Sequence, residues 1–438
     1  MSTLEVEHPV PPRRRSRLRR WLLRLGPGMI TGASDDDPSG IATYSQAGAK
    51  FGLALLWTQL FSLPLMAAVQ EISARVGRVT GRGIAGNIRK HYPGWVLYPI
   101  VFLLVAANTL NLGADIGAMG SAVNLLVGGP SLLYCVAFAL LCVALEVWLR
   151  YRNYCRYLKW LTLVLLAYVA AAFMSHIPWR DAAMATVIPH VSLDGHYIAM
   201  FIAVIGTTIS PYLFFWQASM ETENIRTSAA EEPLKKEVRE KPRRTRFHFG
   251  RIRWDTYVGM TAANVVSYCI LLTAAAALHA HGVTEVSSSR QAAAALEPFA
   301  GRFAMVIFAA GIIGTGLLAV PVLAGSAAYA VGEALKWPTG LDRKPYEAKG
   351  FYGVVAAATL IGLVINFTRL DPIQALVWSA MINGIVSVPV MVVMMHMAGS
   401  KKVMGPFSRV SKMLRLCGWI ATIVMAAATV GLFLTWGQ

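Results

Sequence analysis

The sequence predicts an all-α integral membrane protein, built as two five-helix halves in an inverted repeat plus an eleventh helix. Three observations carry that expectation. Of 438 residues, 56% are apolar and 14% charged, with a mean hydropathy of +0.52, where a soluble protein carries about 25% charge. Apolar stretches of 18 to 25 residues recur along the chain, each long enough to cross ~30 Å of hydrocarbon at 1.5 Å rise per residue. The first stretch of each half is interrupted by helix breakers at a matching place. A soluble globular enzyme is excluded.

The membrane-length segments are 27–49, 52–75, 95–121, 131–149, 158–177, 196–220, 256–280, 301–333, 351–368, 372–397 and 414–436. All should be helices, because an open sheet leaves backbone groups unsatisfied in lipid and no ten-residue alternating barrel pattern occurs. Orientation follows from the basic residues. With the N-terminus in the cytoplasm, inner segments hold 35 of the 40 Lys and Arg, in groups at 13–24, 75–90, 150–159, 226–253, 336–349 and 401–415. Only Lys50, Arg180, Arg290, Arg302 and Arg369 fall outside. A miscounted helix would scramble this asymmetry. The expected division is a basic cytoplasmic tail (1–24), a first half (25–177), an outer loop (178–195), a second half (196–397) with a cytoplasmic loop at 223–255, and an inner loop with the last helix (398–438). The C-terminus is then outside. The net charge of +17 is assigned to orientation and contact with anionic membrane lipid, not to nucleic acid. Short loops and the lack of a targeting segment point to a plasma membrane of the bacterial inner-membrane kind. The five cysteines form no metal-spaced pair and read as reduced thiols.

The loop 223–255, containing EEPLKKEVREKPRRTR, is mixed in charge and reads as a flexible linker, with regulation or docking as the alternative. His190, Asp194 and His196 read as surface polar groups. Glu71, Glu146, Glu221 and Glu223 sit at predicted cytoplasmic ends, where pairing at the interface is the ordinary explanation.

A charged or helix-breaking residue inside a membrane costs free energy and is a functional hypothesis by default. The stretch GASDDDPSGIATYSQAGA, 32–49, places three Asp before Pro38, which removes a donor and clashes with the preceding turn. It should unwind near mid-membrane and free several carbonyls. A second break is expected in IGTTISPYLFFWQ, 205–217, around Gly206, Thr207, Thr208, Ser210 and Pro211. Paired breaks of this kind mark a transporter whose site lies between the two halves. Unwound carbonyls, half-helix C-termini and the Asp37 carboxylate favour a cation there. In the third segment Asn108, Asn111 and Asp115 share one face at spacings of three and four. Asp115 reads as a proton or water relay, the two Asn as packing. Asn383 in the tenth segment is either a group close to the ion or an interhelical hydrogen bond.

At this point the residues resemble a known family. DDDPSGIATYSQAGA (35–49), VQEISARVGRVTGRGIAG (69–86) and GTTISPYLFFWQ (206–217) look like the NRAMP divalent-metal transporters, and the likeness runs from about residue 25 to the end. It implies the LeuT-like fold and divalent-metal transport by alternating access, often coupled to protons. The family's Asp-Pro-Gly-Asn motif matches Asp37-Pro38-Ser39-Gly40, so the Asp ligand is present and the Asn ligand is Gly40. Its Ala-Thr-Val-Met-Pro-His motif matches Thr207-Thr208-Ile209-Ser210-Pro211-Tyr212, so the soft Met ligand is Ser210 and the carbonyl ligand is Thr207. The helix 3 acid used in proton transfer matches Asp115, a second acid falls on Leu112, and a helix 6 His falls on Gln217.

The expected metal set is therefore Asp37, Gly40, Thr207 and Ser210, with Asp36 a vestibule charge, Asp115 a relay, and Asn383, Tyr212 and Gln217 around them. Oxygen donors suit Mg²⁺, Mn²⁺ and Ca²⁺, whereas a thioether prefers softer ions. The chain thus resembles a divergent, magnesium-transporter-like branch more than the iron and manganese core. The transported ion is the only small partner expected, with protons as a candidate coupling ion and no cofactor. An inward potential of ~100 mV alone contributes about 4.6 kcal/mol for a doubly charged ion. The rival readings are a symporter of the same fold for an organic cation or amino acid, and a non-transport membrane scaffold. An enzyme would need a convergent nucleophile or metal cluster, and no segment supplies one.

Overall fold

The computed structural model describes residues 27–148, 161–227, 233–234, 242–368, 371–408 and 410–435. The basic tail, the basic residues at 150–159, the middle of the 223–255 loop, Arg369 and Arg409 lie outside these. The described chain is almost wholly helical. The first segment is two half-helices, α1 (Pro27–Asp35) and α2 (Pro38–Phe51), followed by α3 (Trp57–Thr80), a short α4 (Ile84–His91), α5 (Gly94–Val127), α6 (Ser131–Trp148) and α7 (Leu166–Met174). After α8 (Trp179–Val187) the plan repeats: half-helices α9 (Gly195–Thr208) and α10 (Pro211–Thr227), then α11 (Pro242–Ala277), α12 (Ala304–Leu335), α13 (Lys349–Ile365) and α14 (Pro372–Gly399), with α15 (Lys412–Thr435) last.

Every predicted segment is represented by a helix or a pair of half-helices. Seven described spans are each long and apolar enough to cross a membrane, or nine if two pairs bent by 106° and 117° are each counted as one. The remainder fall short for local reasons. The halves α1 and α2 are separated by acids, α13 has only 17 residues, and the start of the fifth segment is not described.

Three expectations are corrected. Unwinding does not spread over 32–49: only Asp36 and Asp37 leave the helix. Pro38 sits at N1, where α2 itself needs no N–H from it, and Asp37 caps the new start by accepting from Gly40 N at 2.7 Å. The stretch 242–255 is the beginning of α11 and not a linker, held by a bidentate Arg251–Glu221 pair at 2.6 and 2.9 Å. The segment 178–195, expected as a loop, contains α8.

The helices pack closely through small residues, as membrane helices do. A Cβ on Gly32 would lie 2.4 Å from the Gly259 carbonyl oxygen, and one on Gly206 would lie 2.3 Å from Ala380 O and 2.7 Å from Gly384 Cα. So α1 lies against α11 and α9 against α14, while α5 packs centrally on α12, α13 and α14. Several buried acids in this core are partnered. Glu71 pairs with Arg75. Glu223 accepts from Tyr329 and from the amides of Leu341 and Asp342. Glu333 caps α4 through Gly83 N at 2.9 Å and Gly86 N at 2.8 Å. Glu146 departs from the expected pairing: it is buried, and neither carboxylate oxygen has a hydrogen-bond partner among the described residues.

Candidate functional site

The two breaks face each other in the interior and are built alike. Each is two residues long, Asp36–Asp37 and Ile209–Ser210, and each ends at a proline. A proline in the first turn cannot donate to the carbonyl four residues back, so Pro38 orphans Ser34 O and Pro211 orphans Thr207 O. A hydroxyl meets each of them. Tyr212 Oη donates to Ser34 O at 3.0 Å, and Ser210 Oγ donates to Thr207 O at 2.8 Å and to Gly206 O at 2.6 Å.

Asp37 is the centre of the arrangement. Its Oδ1 accepts from Ser39 Oγ at 2.6 Å and Gly40 N at 2.7 Å, and its Oδ2 faces Asn111 Nδ2 and Tyr212 Oη, both at 3.2 Å. Gly40 brings the second break close: a Cβ there would be 3.1 Å from Thr207 Oγ1 and 3.2 Å from Asp35 O. Asp37, Gly40, Thr207, Ser210 and Tyr212 are thus brought together. Asp115 lies near the start of α2, facing the Ser39 amide and within electrostatic reach of Asp37, and neither of its oxygens completes a hydrogen bond among the described residues. Asp36, expected in an open vestibule, is 4% exposed, and Asp35, Asp37 and Asp115 are at 1% or less. None of these four acids pairs with a Lys or Arg among the described residues.

The remaining candidates divide. Gln217 donates to Thr256 on α11 at 3.0 Å, away from Asp37. Asn108 binds Leu323 O and Ser326 Oγ on α12, as a packing residue does. Asn383 is fully buried, and neither amide atom has a hydrogen-bond partner among the described residues. It lies one turn beyond Ser379, whose hydroxyl donates to Asn111 Oδ1 at 2.8 Å. Sequence reasoning missed Asn111, read as packing, and Ser379 altogether. The signal for Asn111 was its i, i+4 relation to Asp115. His190 and Asp194 make other contacts: His190 gives its carbonyl to Trp57 and Tyr197, and Asp194 caps α9. Among the described residues no three His, Cys, Asp or Glu side chains converge as a metal cluster.

The sequence profile described as natural resistance-associated macrophage protein-like, Nramp, matches residues 28–435. The chain belongs to the Nramp family. It is 27% identical over 415 residues to the divalent metal cation transporter MntH of Klebsiella pneumoniae strain 342, covering 93% of this chain and 92% of that protein. In fold it is similar to a manganese transporter of Eremococcus coleocola, with a TM-score of 0.73 at 18% identity over 97% of this chain and 88% of the other. It is also similar to MhsT in complex with L-phenylalanine, with a TM-score of 0.65 at 13% identity over 95% and 99%. The LeuT-like architecture expected from the sequence is therefore the fold of this Nramp chain. Two of the positions at which it was expected to depart from the family motifs have a visible local setting. At Gly40 a side chain would press on Thr207 and on Asp35 O, and at Ser210 the hydroxyl closes the end of α9.

Proposed function

We propose that this chain carries divalent metal ions across the membrane by alternating access, with the ion as cargo held at Asp37 between the two helix breaks. One observation carries the reading. Asp35, Asp36, Asp37 and Asp115 are buried around the breaks without a basic partner among the described residues. Unpaired acid in the membrane interior is expensive, so such a site calls for a positive guest. The family and the MntH likeness agree with a metal cation. They disfavour a symporter of amino acids or organic cations, an enzyme and a passive scaffold.

The donors around Asp37 are hydroxyl, amide and carbonyl groups, and Ser210 stands where the family carries its thioether. Such a set suits hard ions, and we place Mg²⁺ and Mn²⁺ as the cargo. Gly40 acts as a backbone or water position, Thr207 and Ser210 as oxygen donors, Asp36 as a neighbouring charge and Asp115 as the relay if protons move with the ion. Asp115 and Asp37 are close enough to feel each other's charge, which links any proton held at Asp115 to occupation of the site. The basic residues set the N-terminus in the cytoplasm of a bacterial-type plasma membrane and the C-terminus outside. The test is uptake into proteoliposomes with Mg²⁺ and Mn²⁺ at equal concentration and an internal pH dye, with Asp37→Ala as control. Mg²⁺ entry without acidification is expected. Absence of flux in wild type and variant alike overturns metal transport.

A further inference from the structure

Around Asp37 the chain offers an incoming ion few side-chain oxygens. Gly40 has none, and the Ser210 hydroxyl is turned toward helix carbonyls. Two buried side chains reach the carboxylate from other helices: Tyr212, whose hydroxyl is shared with Ser34 O, and Asn111, whose Nδ2 donates to Asp37 Oδ2 at 3.2 Å while Oδ1 accepts from Ser379 Oγ at 2.8 Å. This suits a bare carboxylate. With a cation on Oδ2 it would hold the positive end of an amide against a positive ion.

We propose that Asn111 is itself a ligand of the transported ion: when a divalent cation settles on Asp37, the Asn111 carboxamide turns over and presents Oδ1 to it. The inference rests on Asp37 holding the ion, as proposed above. Two features of the geometry support it. Oxygens in adjacent positions of an octahedral ion with bonds of 2.0–2.1 Å stand about 2.9 Å apart, near the 3.2 Å between the Asn111 amide and Asp37 Oδ2. An amide group can exchange its ends in place, since one end donates and the other accepts.

The neighbour that must tolerate the exchange is able to do so. Ser379 Oγ now donates to Asn111 Oδ1 and also lies 2.7 Å from Leu376 O. After the turn its lone pairs accept from Nδ2 while its proton goes to Leu376 O, so the hydroxyl and both ends of the amide are satisfied in each state. Asp37 gives up one of four donors and gains the ion. Asn111 is fully buried, so bulk water does not substitute for either partner.

The test is calorimetric titration of the purified full-length chain with MgCl₂ and MnCl₂, using Asn111→Leu, Asn111→Asp and Asp37→Ala, with an ion-free melting curve for each. Asn111→Leu removes the oxygen and should weaken binding at least ~10-fold, since even residues that only orient ligands cost about 10–100-fold. Asn111→Asp keeps an oxygen and should bind at least as tightly as wild type. If Asn111 serves only as a donor steadying Asp37, Asn111→Asp loses affinity as Asn111→Leu does, and the proposal is overturned. Unchanged affinity in Asn111→Leu overturns it as well. Should the Leu variant not fold, wild type against Asn111→Asp decides by the same criterion. A wild type that binds neither ion, like Asp37→Ala, refutes the Asp37 reading first and this one with it.

Discussion

Replacing Asp37 by Asn removes one charge and almost no volume, which makes it the sharpest perturbation of the site. An Asn carbonyl can still cap α2, accepting from Ser39 Oγ and Gly40 N as Asp37 Oδ1 does at 2.6 and 2.7 Å, and Asn is as good an N-cap as Asp. Tyr212 keeps its bond to Ser34 O, and the Asn111 amide can turn to meet the new one. The ion-free fold should therefore survive with a melting temperature close to wild type. Ion binding should not. Unit charges 4 Å apart attract by about 4 kcal/mol at an effective dielectric of 20, so a doubly charged ion feels about 8. A neutral amide oxygen and retained water recover part of this. If half is lost, about 4 kcal/mol, affinity falls about a thousandfold at 1.4 kcal/mol per tenfold. The assay is the melting temperature with and without Mg²⁺, alongside uptake. Wild type at a hundred times its dissociation constant gains ~2.7 kcal/mol, and Asp37→Asn gains nothing measurable at the same concentration. Ion-dependent stabilisation and uptake within tenfold of wild type in Asp37→Asn would refute the assignment of the carboxylate as ligand.

Other outcomes follow from the same contacts. Tyr212→Phe leaves the buried Ser34 carbonyl without the donor that replaces the proline N–H, at a cost of about 1–3 kcal/mol seen as a lower ion-free melting temperature; an unchanged value means that carbonyl finds another partner. Gly206→Ala puts a methyl 2.3 Å from Ala380 O and should destabilise by about 1–3 kcal/mol through overpacking, with transport falling in parallel; wild-type stability would show that α9 can move off α14. Ser210→Met adds a soft donor, so competition of Cd²⁺ against Mg²⁺ should shift toward Cd²⁺, whereas an unaltered ratio counts against a hard-donor site. Glu333→Gln weakens the cap on α4 and should cost about 0.3–1 kcal/mol without altering Mg²⁺ affinity; a loss of affinity would tie α4 to the ion path.

How much of this was legible in the sequence depends on how local the cause is. The breaks were legible because proline acts four residues away along its own helix, and Ser34 and Thr207 stand at that offset from Pro38 and Pro211. Their narrowness was not, because Asp37 restarts the helix one residue after the chain leaves it, and capping strength depends on a side-chain geometry that composition does not contain. The start of α11 was hidden for a related reason. Residues 242–255 are too polar to look like a span, yet they continue a helix fastened by Arg251 to Glu221 and by Asp255 to the first amides of α1. Asn108 and Asn111 had the same appearance on one helical face. Only the setting of α5 between its neighbours sends Asn108 to α12 and Asn111 to Asp37. Glu146 illustrates the opposite error, since an acid near a predicted cytoplasmic end proved buried and without a hydrogen-bond partner among the described residues.

The way the four half-helices are fastened bears on how the ion gains access. Both halves of the first pair lie on one helix: Gly28 and Gly32 of α1 meet Thr256 and Gly259 of α11, and Gly48 of α2 meets Leu271 and Ala274 farther along it. The second pair is divided. Gly206 seats α9 on Gly384 of α14, while Ala218 of α10 presses on Gly77 of α3. Sliding of α3 past α14 would therefore pull on Ile209–Ser210, which is tied to α9 by Ile209 N on Ile205 O at 2.8 Å and by the Ser210 hydroxyl, and would leave α1 and α2 together on α11. Tyr212 stands in the first turn of α10 and bonds to both sides of the other break, at Ser34 O and Asp37 Oδ2. Any motion that carries α10 away must break those two bonds and uncover the carboxylate on the side that opens. Access to Asp37 and separation of the second break are then one event, which is what alternating access requires of a single site.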